Sequence, residues 1–279
     1  MEGWKLTEGI HAKRSLSEEE IWSKFNHIFS TKSFNATSYK FCFIKALIEN
    51  VFNVDNDGYL DYDDIYEKFT ETYWYLTVQH KIRQGNASIY RDGKKTSVER
   101  VFDKFFLRYP ALTPDISFEA IDEKIRHKMV TEIKNRCKRY VIGAVYGDTD
   151  GTFYSFHLSK EILKFHPDVL AFLKKYEYIL LKLNHYEWIK FLKKVNKEED
   201  SYALAKKLDY ATKRTNLKVY RNLLYDTFHR HDCFYCGRKL KSIEVDHFIP
   251  WSFVRNDKLW NLALACPKCN NSKRDSLST

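Results

Sequence analysis

The sequence predicts an α+β fold that is mainly helical, in which a helical N-terminal domain with one β-hairpin precedes a small C-terminal domain. The chain of 279 residues contains only 9 Gly and 5 Pro, too few for an all-β fold with many turns. Hydrophobic residues make up 44% and aromatic residues 16% of the chain, which is enough for a true core and excludes intrinsic disorder. The prediction of separate helices then depends on the spacing of these apolar residues.

Apolar residues at helical spacing predict six helices in the N-terminal part. A capping box from Ser17 to Glu20 predicts the start of the first helix, which continues over 21–29. The same spacing predicts helices over 41–51, 65–76 and 121–137, and two more over 168–183 and 186–195.

One β-hairpin is predicted over residues 140–156. An apolar stretch at 140–146 and an aromatic stretch at 153–156 flank the turn-rich segment 147–151. The charged segment 196–200 then predicts a domain boundary, so the predicted domains are residues 1–200 and 201–279. We expect the first domain to recognise a substrate or a protein partner.

Residues 53–64 nearly match a calcium-binding loop. Side chains with oxygen atoms stand at positions 1, 3, 5, 9 and 12, and Gly58 stands at position 6. The first position is Asn53, however, and the last is Asp64, which is shorter than the Glu that binds calcium through both oxygens. These departures favour an Asx-rich turn between two helices over a calcium site.

Positive charge is concentrated in the C-terminal domain. The chain has a formal net charge of +10, and residues 201–279 contain 15 basic and 7 acidic side chains against 32 and 30 in residues 1–200. Such a surface is typical of proteins that bind polyphosphates, although basic surfaces also occur without that partner. The sequence has neither an apolar run of membrane-spanning length nor a secretion signal, so we expect no membrane association and a cytoplasmic location.

Four of the six cysteines form two Cys-x-x-Cys pairs, Cys233 with Cys236 and Cys266 with Cys269. Two such pairs complete a tetrahedral set of four thiolates, for which structural Zn²⁺ is the expected ion. The alternative is a pair of redox dithiols or disulfides, which a reducing compartment disfavours. The intervening segment 237–265 exceeds the usual spacing of about 15–20 residues, which indicates a functional insertion.

Polar residues follow a characteristic order in and after this insertion, namely Asp246, His247, Pro250, Asn261, Leu262, Asn270 and Lys273. This order resembles the HNH, or ββα-metal, endonuclease motif of the type clamped by two Cys-x-x-Cys pairs. The resemblance covers residues 228–276 and implies a small zinc-bound ββα-metal domain. No resemblance covers residues 1–200.

The resemblance also implies a role for each polar residue. Asp246 and Asn270 would hold the catalytic Mg²⁺ or another divalent metal, Asn261 would fix the loop that aims His247, and Lys273 would contact phosphate. Asn270 stands where the name of the motif has a third histidine. The adjacent Asn271 is an alternative ligand, but helix geometry separates the two by ~100°, so only one can face the site and we favour Asn270.

Phosphodiester hydrolysis explains these residue types. The reaction must deprotonate a water molecule, and an imidazole, which exchanges its proton near neutral pH, suits that step. His247 is the only histidine of the insertion, so we interpret it as the general base. A hard divalent cation suits the stabilisation of charge on the phosphate, and it prefers carboxylate and amide oxygens.

The sequence therefore predicts a metal-dependent endonuclease that hydrolyses phosphodiester bonds, DNA before RNA, with a role in restriction or anti-phage defence. The resemblance implies products with 5′-phosphate and 3′-hydroxyl ends. The alternative is a catalytically silent, zinc-dependent component that binds nucleic acid within a larger complex. Contacts to nucleic acid are predicted for five basic residues, Arg238, Lys239, Arg255, Lys258 and Arg274.

Overall fold

The structure is a computed structural model that describes residues 5–30, 33, 36–213, 220–221, 223–250 and 259–273. The chain divides into two compact units, Met1–Thr212 and Lys213–Thr279. The division falls after the position predicted from the charged segment 196–200. No helix of the described residues combines the length and the apolar character that crossing a membrane requires.

The first unit is mainly helical, which confirms the predicted fold class. Its helices are α1 (Glu18–Phe29), α2 (Tyr39–Glu49), α3 (Tyr62–Tyr73), α4 (Ser97–Arg108), α5 (Glu123–Asp148), α6 (Pro167–Val195) and α7 (Ser201–Lys213). Its strands are β1 (Glu8–Gly9), β2 (Tyr59–Asp61), β3 (Tyr154–His157) and β4 (Ile162–Phe165). The four strands form one antiparallel sheet in the order β1-β3-β4-β2.

Helix α2 lies at the centre of this unit, with α3, α5 and α6 packed around it. Every residue from Phe41 to Ile48 is buried, including Lys45, whose ammonium is paired with Glu49 at 2.5 Å. A helix that is apolar on all sides is typical of a buried position. The predicted capping box of α1 is present, because the Ser17 hydroxyl and the Glu20 carboxylate each accept the other residue's backbone N–H.

The predicted hairpin over 140–156 is wrong in its first half, because α5 continues to Asp148. Cys137, Val141 and Val145 keep the four-residue spacing of the buried face, so burial there favours a helix over a strand. Strand β3 pairs instead with β4, in a register that places Tyr154 opposite Phe165. The two helices predicted over 168–183 and 186–195 are one helix, α6, in which the Asn184 amide donates to the carbonyl of Phe41.

The near match to a calcium loop precedes and includes β2. The carboxylate of Asp55 accepts the backbone N–H groups of Asp57 and Tyr59 at 3.0 and 2.8 Å, which is an Asx-turn arrangement. Gly58 has φ +84°, a conformation that side chains disfavour, and this explains the glycine. Strand β2 then pairs with β4.

The second unit contains the strands β5 (Glu244–His247) and β6 (Leu262–Ala265), followed by helix α8 (Pro267–Lys273). The two strands form an antiparallel pair in which Asp246 is opposite Ala263 and His247 is opposite Leu262. All four residues of β6 are buried, and α8 packs against β5. This ββα arrangement positions the side chains described next.

Candidate active site and cysteine cluster

The end of β5 is held by Asn261, which is fully buried. Its side-chain oxygen accepts the N–H of Ile249 at 2.7 Å, and its side-chain nitrogen donates to the carbonyl of Ile249 at 2.8 Å. Its own carbonyl accepts the N–H of Phe248 at 2.8 Å. The chain bends at Phe248 and Ile249, directly after His247, so Asn261 fixes the position at which the strand stops.

Asp246 lies between the first cysteine pair and α8, with 9% of the residue exposed. Its Oδ2 accepts a hydrogen bond from the hydroxyl of Tyr235, which lies between Cys233 and Cys236 in the sequence. The same oxygen lies 3.2 Å from the ammonium of Lys273. Lys273 also donates to the carbonyl of His247 at 2.8 Å. The lysine that the sequence assigned to phosphate therefore neutralises Asp246 and fastens α8 to the end of β5 in this structure.

Asn270 lies three residues before Lys273 on α8 and also faces β5. Its side-chain nitrogen donates to Oε2 of Glu244 at 2.7 Å. Because this bond orients the amide, the side-chain oxygen is the atom that remains to ligate a cation. Sequence reasoning missed Glu244, although the period of a strand places it on the same face as Asp246, two residues later.

The face of β5 toward α8 therefore carries two carboxylates, those of Glu244 and Asp246, and one ammonium, that of Lys273. The set thus has more carboxylates than ammonium groups, and it contains an oriented amide oxygen. Hard divalent cations prefer such oxygen donors, so these residues fit an ion of the Mg²⁺ class. Of the predicted set, Asp246, Asn270 and Lys273 share this face, and His247 is at the end of the same strand.

The four paired cysteines form a separate cluster, in which the sulfur atoms all lie within 4.8 Å of one another. Among the described residues, this is the one group of three or more His, Cys, Asp and Glu side chains whose ligand atoms lie close enough together to hold a metal ion. Four sulfur donors at such spacing fit Zn²⁺. Gly237 follows Cys236 at φ +65°, so the chain reverses immediately after the first pair.

Two thiols of the cluster have pKa values shifted in opposite directions. Burial acts to raise the pKa of Cys233, but the backbone N–H groups of Cys266, Cys236 and Tyr235 donate to its sulfur and lower its pKa to about 6. The N–H of Cys266 lies 3.4 Å from that sulfur. Hydrogen bonding to Cys266 raises the pKa of Cys269 to about 12. The Cys233 thiolate thus forms readily, whereas the Cys269 thiol resists ionisation, and zinc binding requires the thiolate form of each ligand.

A comparison with protein families decides the class of this unit, because the model of the family "HNH endonuclease" matches residues 233–276. Residues 233–276 form an HNH endonuclease domain. The match includes all four cysteines and every polar residue placed above, and such a domain acts on nucleic acid. No curated protein and no solved structure matches the chain.

The predicted nucleic-acid contacts of the HNH domain lie only partly within the described residues. Arg238 and Lys239 are exposed and follow the first cysteine pair. The Arg238 carbonyl accepts the N–H of Cys233 at 2.8 Å, and Lys239 forms a β-bridge with Asp232, so the backbone of both is fixed. Arg255, Lys258 and Arg274 lie outside the described residues.

Proposed function

We propose that this protein is a metal-dependent HNH endonuclease that hydrolyses phosphodiester bonds of DNA. The observation that supports this most directly is the shared face of Glu244, Asp246 and Asn270, beside the strand end that carries His247. A carboxylate and an oriented amide oxygen, together with water and phosphate oxygens, are donors that suit a Mg²⁺-class ion. A zinc-clamped fold alone would not need these donors next to a histidine.

The residues of the site divide the reaction among them. His247 accepts the proton of the attacking water as the general base, and Asn261 holds the bend that aims it. Asp246 and Asn270 would hold the divalent ion, whose chemistry when bound is to stabilise negative charge on the phosphate and on the leaving oxygen. Glu244 acts through Asn270, because it fixes which end of the amide faces the ion.

Lys273 has one role without the divalent ion and another when the ion and the substrate are bound. Without a divalent ion its ammonium neutralises Asp246. With Asp246 engaged as a metal ligand, Lys273 would be available to the phosphate, to which a lysine binds as a compact positive charge. The role predicted from sequence and the contact observed in the structure are then two states of one side chain.

The first unit has a role separate from that of the HNH domain. It is a compact unit with a core of its own, and the HNH match does not reach it. We assign to it the recognition of a substrate or a protein partner, and to the whole chain a role in restriction or anti-phage defence. Arg238 and Lys239, both exposed, would contact the phosphate backbone of the nucleic acid.

Plasmid cleavage tests the function. Wild-type protein with Mg²⁺ is expected to nick supercoiled DNA to 5′-phosphate and 3′-hydroxyl ends, whereas His247→Ala is expected to lose cleavage by a factor of at least about 10² and to keep DNA binding. His27→Ala, at an exposed histidine of α1, is the matched control. Equal cleavage by wild type and His247→Ala would refute the assignment of the base. Binding by both without cleavage would indicate the zinc-dependent binding component instead.

A further inference from the structure

Two phenylalanine side chains of the HNH domain are exposed to solvent instead of packing in a core. Phe234 is 61% exposed and Phe248 is 39% exposed. Their ring centroids are 5.5 Å apart with an interplanar angle of 78°, an edge-to-face contact. Transfer of an apolar ring out of water is favourable. Because each of these rings covers only part of the other, both retain exposed apolar surface that a ligand could bury.

The backbone of each phenylalanine is fixed. The N–H of Phe234 donates to the carbonyl of Leu264 in β6 at 2.9 Å, and the N–H of Phe248 donates to the carbonyl of Asn261 at 2.8 Å. Both acceptors belong to the segment that forms β6 or leads into it. The fold therefore fixes the backbone from which each ring projects, so the binding of a flat ligand requires little ordering of the backbone.

The pair is continuous with the candidate active site. Phe248 directly follows His247, and Phe234 directly precedes Tyr235, whose hydroxyl bonds to Asp246. The rings of Phe234 and Tyr235 also make an edge-to-face contact at 5.3 Å. A phosphate bound at Asp246 and His247 would thus carry its attached nucleoside toward an aromatic surface.

An unpaired nucleobase is the ligand that fits this surface. A base is flat, has a π-face whatever its identity, and stacks on aromatic side chains in single-stranded substrates. In an intact duplex each base is stacked between neighbours, so it cannot offer a face to a side chain unless it is displaced. An aliphatic protein ligand would bury the same area but would not depend on the flat rings.

We propose that Phe234 and Phe248 form a stacking platform for an unpaired base beside the cleaved phosphodiester, so that the substrate is single-stranded or locally unpaired nucleic acid. This inference rests on the proposed function, because it places the base relative to the phosphate that is cleaved. It adds the class of substrate, which the nuclease assignment leaves open.

Binding measurements on the full chain test the platform separately from catalysis. In a His247→Ala background, the affinity for a fluorescently labelled single-stranded oligonucleotide is expected to fall about tenfold for Phe234→Leu and for Phe248→Leu, since each loses a stacking face and keeps its apolar volume. Affinity for the matching duplex should not change. Phe228→Leu, at another exposed phenylalanine of the same unit, is the control and should bind like its parent.

Two further arms guard against a folding defect. Phe234→Tyr and Phe248→Tyr keep the ring and should restore binding to within about twofold. Abasic nucleotides in the oligonucleotide should lower its affinity for the parent protein and leave its affinity for the leucine variants unchanged. Equal single-strand affinity of parent and leucine variants, or equal losses on single strand and duplex, would overturn the platform.

Cleavage and single-strand binding can be lost independently of one another. If the protein with His247 intact does not cleave but the leucine variants lose single-strand affinity selectively, the nuclease assignment fails and the platform remains. If that protein cleaves, and its leucine variants cleave and bind single strands as well as it does, the platform fails and the nuclease assignment remains.

Discussion

The ammonium of Lys273 lies 3.2 Å from the carboxylate of Asp246, and both side chains are nearly buried. The carboxylate needs a countercharge at all times, and the lysine supplies it when no divalent ion is bound. If Asp246 ligates the divalent ion as proposed, metal binding and domain stability are coupled through this carboxylate.

Replacement of Lys273 by Met tests this coupling. Without divalent ions the variant leaves Asp246 buried without its countercharge, so we expect the HNH domain to lose about 3 kcal/mol of unfolding free energy. With saturating Mg²⁺ the ion replaces the ammonium, and the loss should shrink by at least half. Chemical denaturation with and without Mg²⁺ measures both values. Lys268→Met, at an exposed position of α8, should change neither, and a loss that is independent of Mg²⁺ would exclude a cation at Asp246.

The bond between Glu244 and Asn270 leads to a second prediction. Glu244→Ala removes the acceptor that orients the amide, so the concentration of Mg²⁺ that half-saturates cleavage should rise about tenfold. Glu244→Gln keeps an acceptor oxygen and should show a smaller rise. A titration of cleavage against Mg²⁺ checks this, with Glu198→Ala in the first unit as the control. A lower maximal rate with an unchanged Mg²⁺ requirement would contradict the positioning role.

The parts of the site that sequence reasoning found are those with a distinct residue type at a distinct spacing. Two Cys-x-x-Cys pairs and the order Asp246, His247, Asn261 and Asn270 identify the HNH domain before any coordinates. What they could not supply is the set of partners. Glu244 and Tyr235 act through hydrogen bonds to Asn270 and Asp246, and ordinary Glu and Tyr residues carry no signal for such a contact. The alternation of the strand would have indicated Glu244 alone.

In the first unit the fold class followed from composition and helical spacing, but the extent of the elements did not. Residues 140–146 are apolar at nearly every position, so their spacing fits a buried helix and a strand equally well. The packing of Val141 and Val145 in the core, a tertiary contact, decided for the helix. Helix α4 was missed although a capping box of Thr96 and Glu99 marks its start, as Ser17 and Glu20 mark that of α1.

Removal of the cysteine clamp should act on one unit only. Cys233→Ser takes away one sulfur of the four, so zinc content should fall and the HNH domain should unfold, because zinc binding supplies part of its folding free energy. Hydrogen exchange should then increase over the described parts of 228–273 and remain unchanged in α2 and α5. The reciprocal control is Cys137→Ala, at a buried cysteine of α5, which should loosen the first unit and leave the zinc content intact. Normal exchange in the HNH domain of Cys233→Ser would contradict the clamp.

The pH dependence of the first unit should contain a contribution from Glu71. Burial raises the pKa of this carboxyl to about 7, and the ammonium of Lys68 at 3.3 Å offsets the burial only in part. The folded state therefore binds a proton that the unfolded chain, with an ordinary carboxyl pKa, releases at lower pH. This contribution to stability is retained below the unfolded pKa and is lost as pH rises through the folded pKa of about 7, by about 3 kcal/mol in all.

Replacement of Glu71 by Gln tests this contribution. The Gln side chain remains neutral at every pH, so the unfolding free energy of the variant should lack this fall with pH. It should therefore exceed the wild-type value by the largest margin above pH 7. Denaturation curves between pH 4 and pH 8 measure the difference, with Glu198→Gln as the control. If the two pH profiles are parallel, the Glu71 carboxyl is ionised in the folded protein and the assignment is wrong.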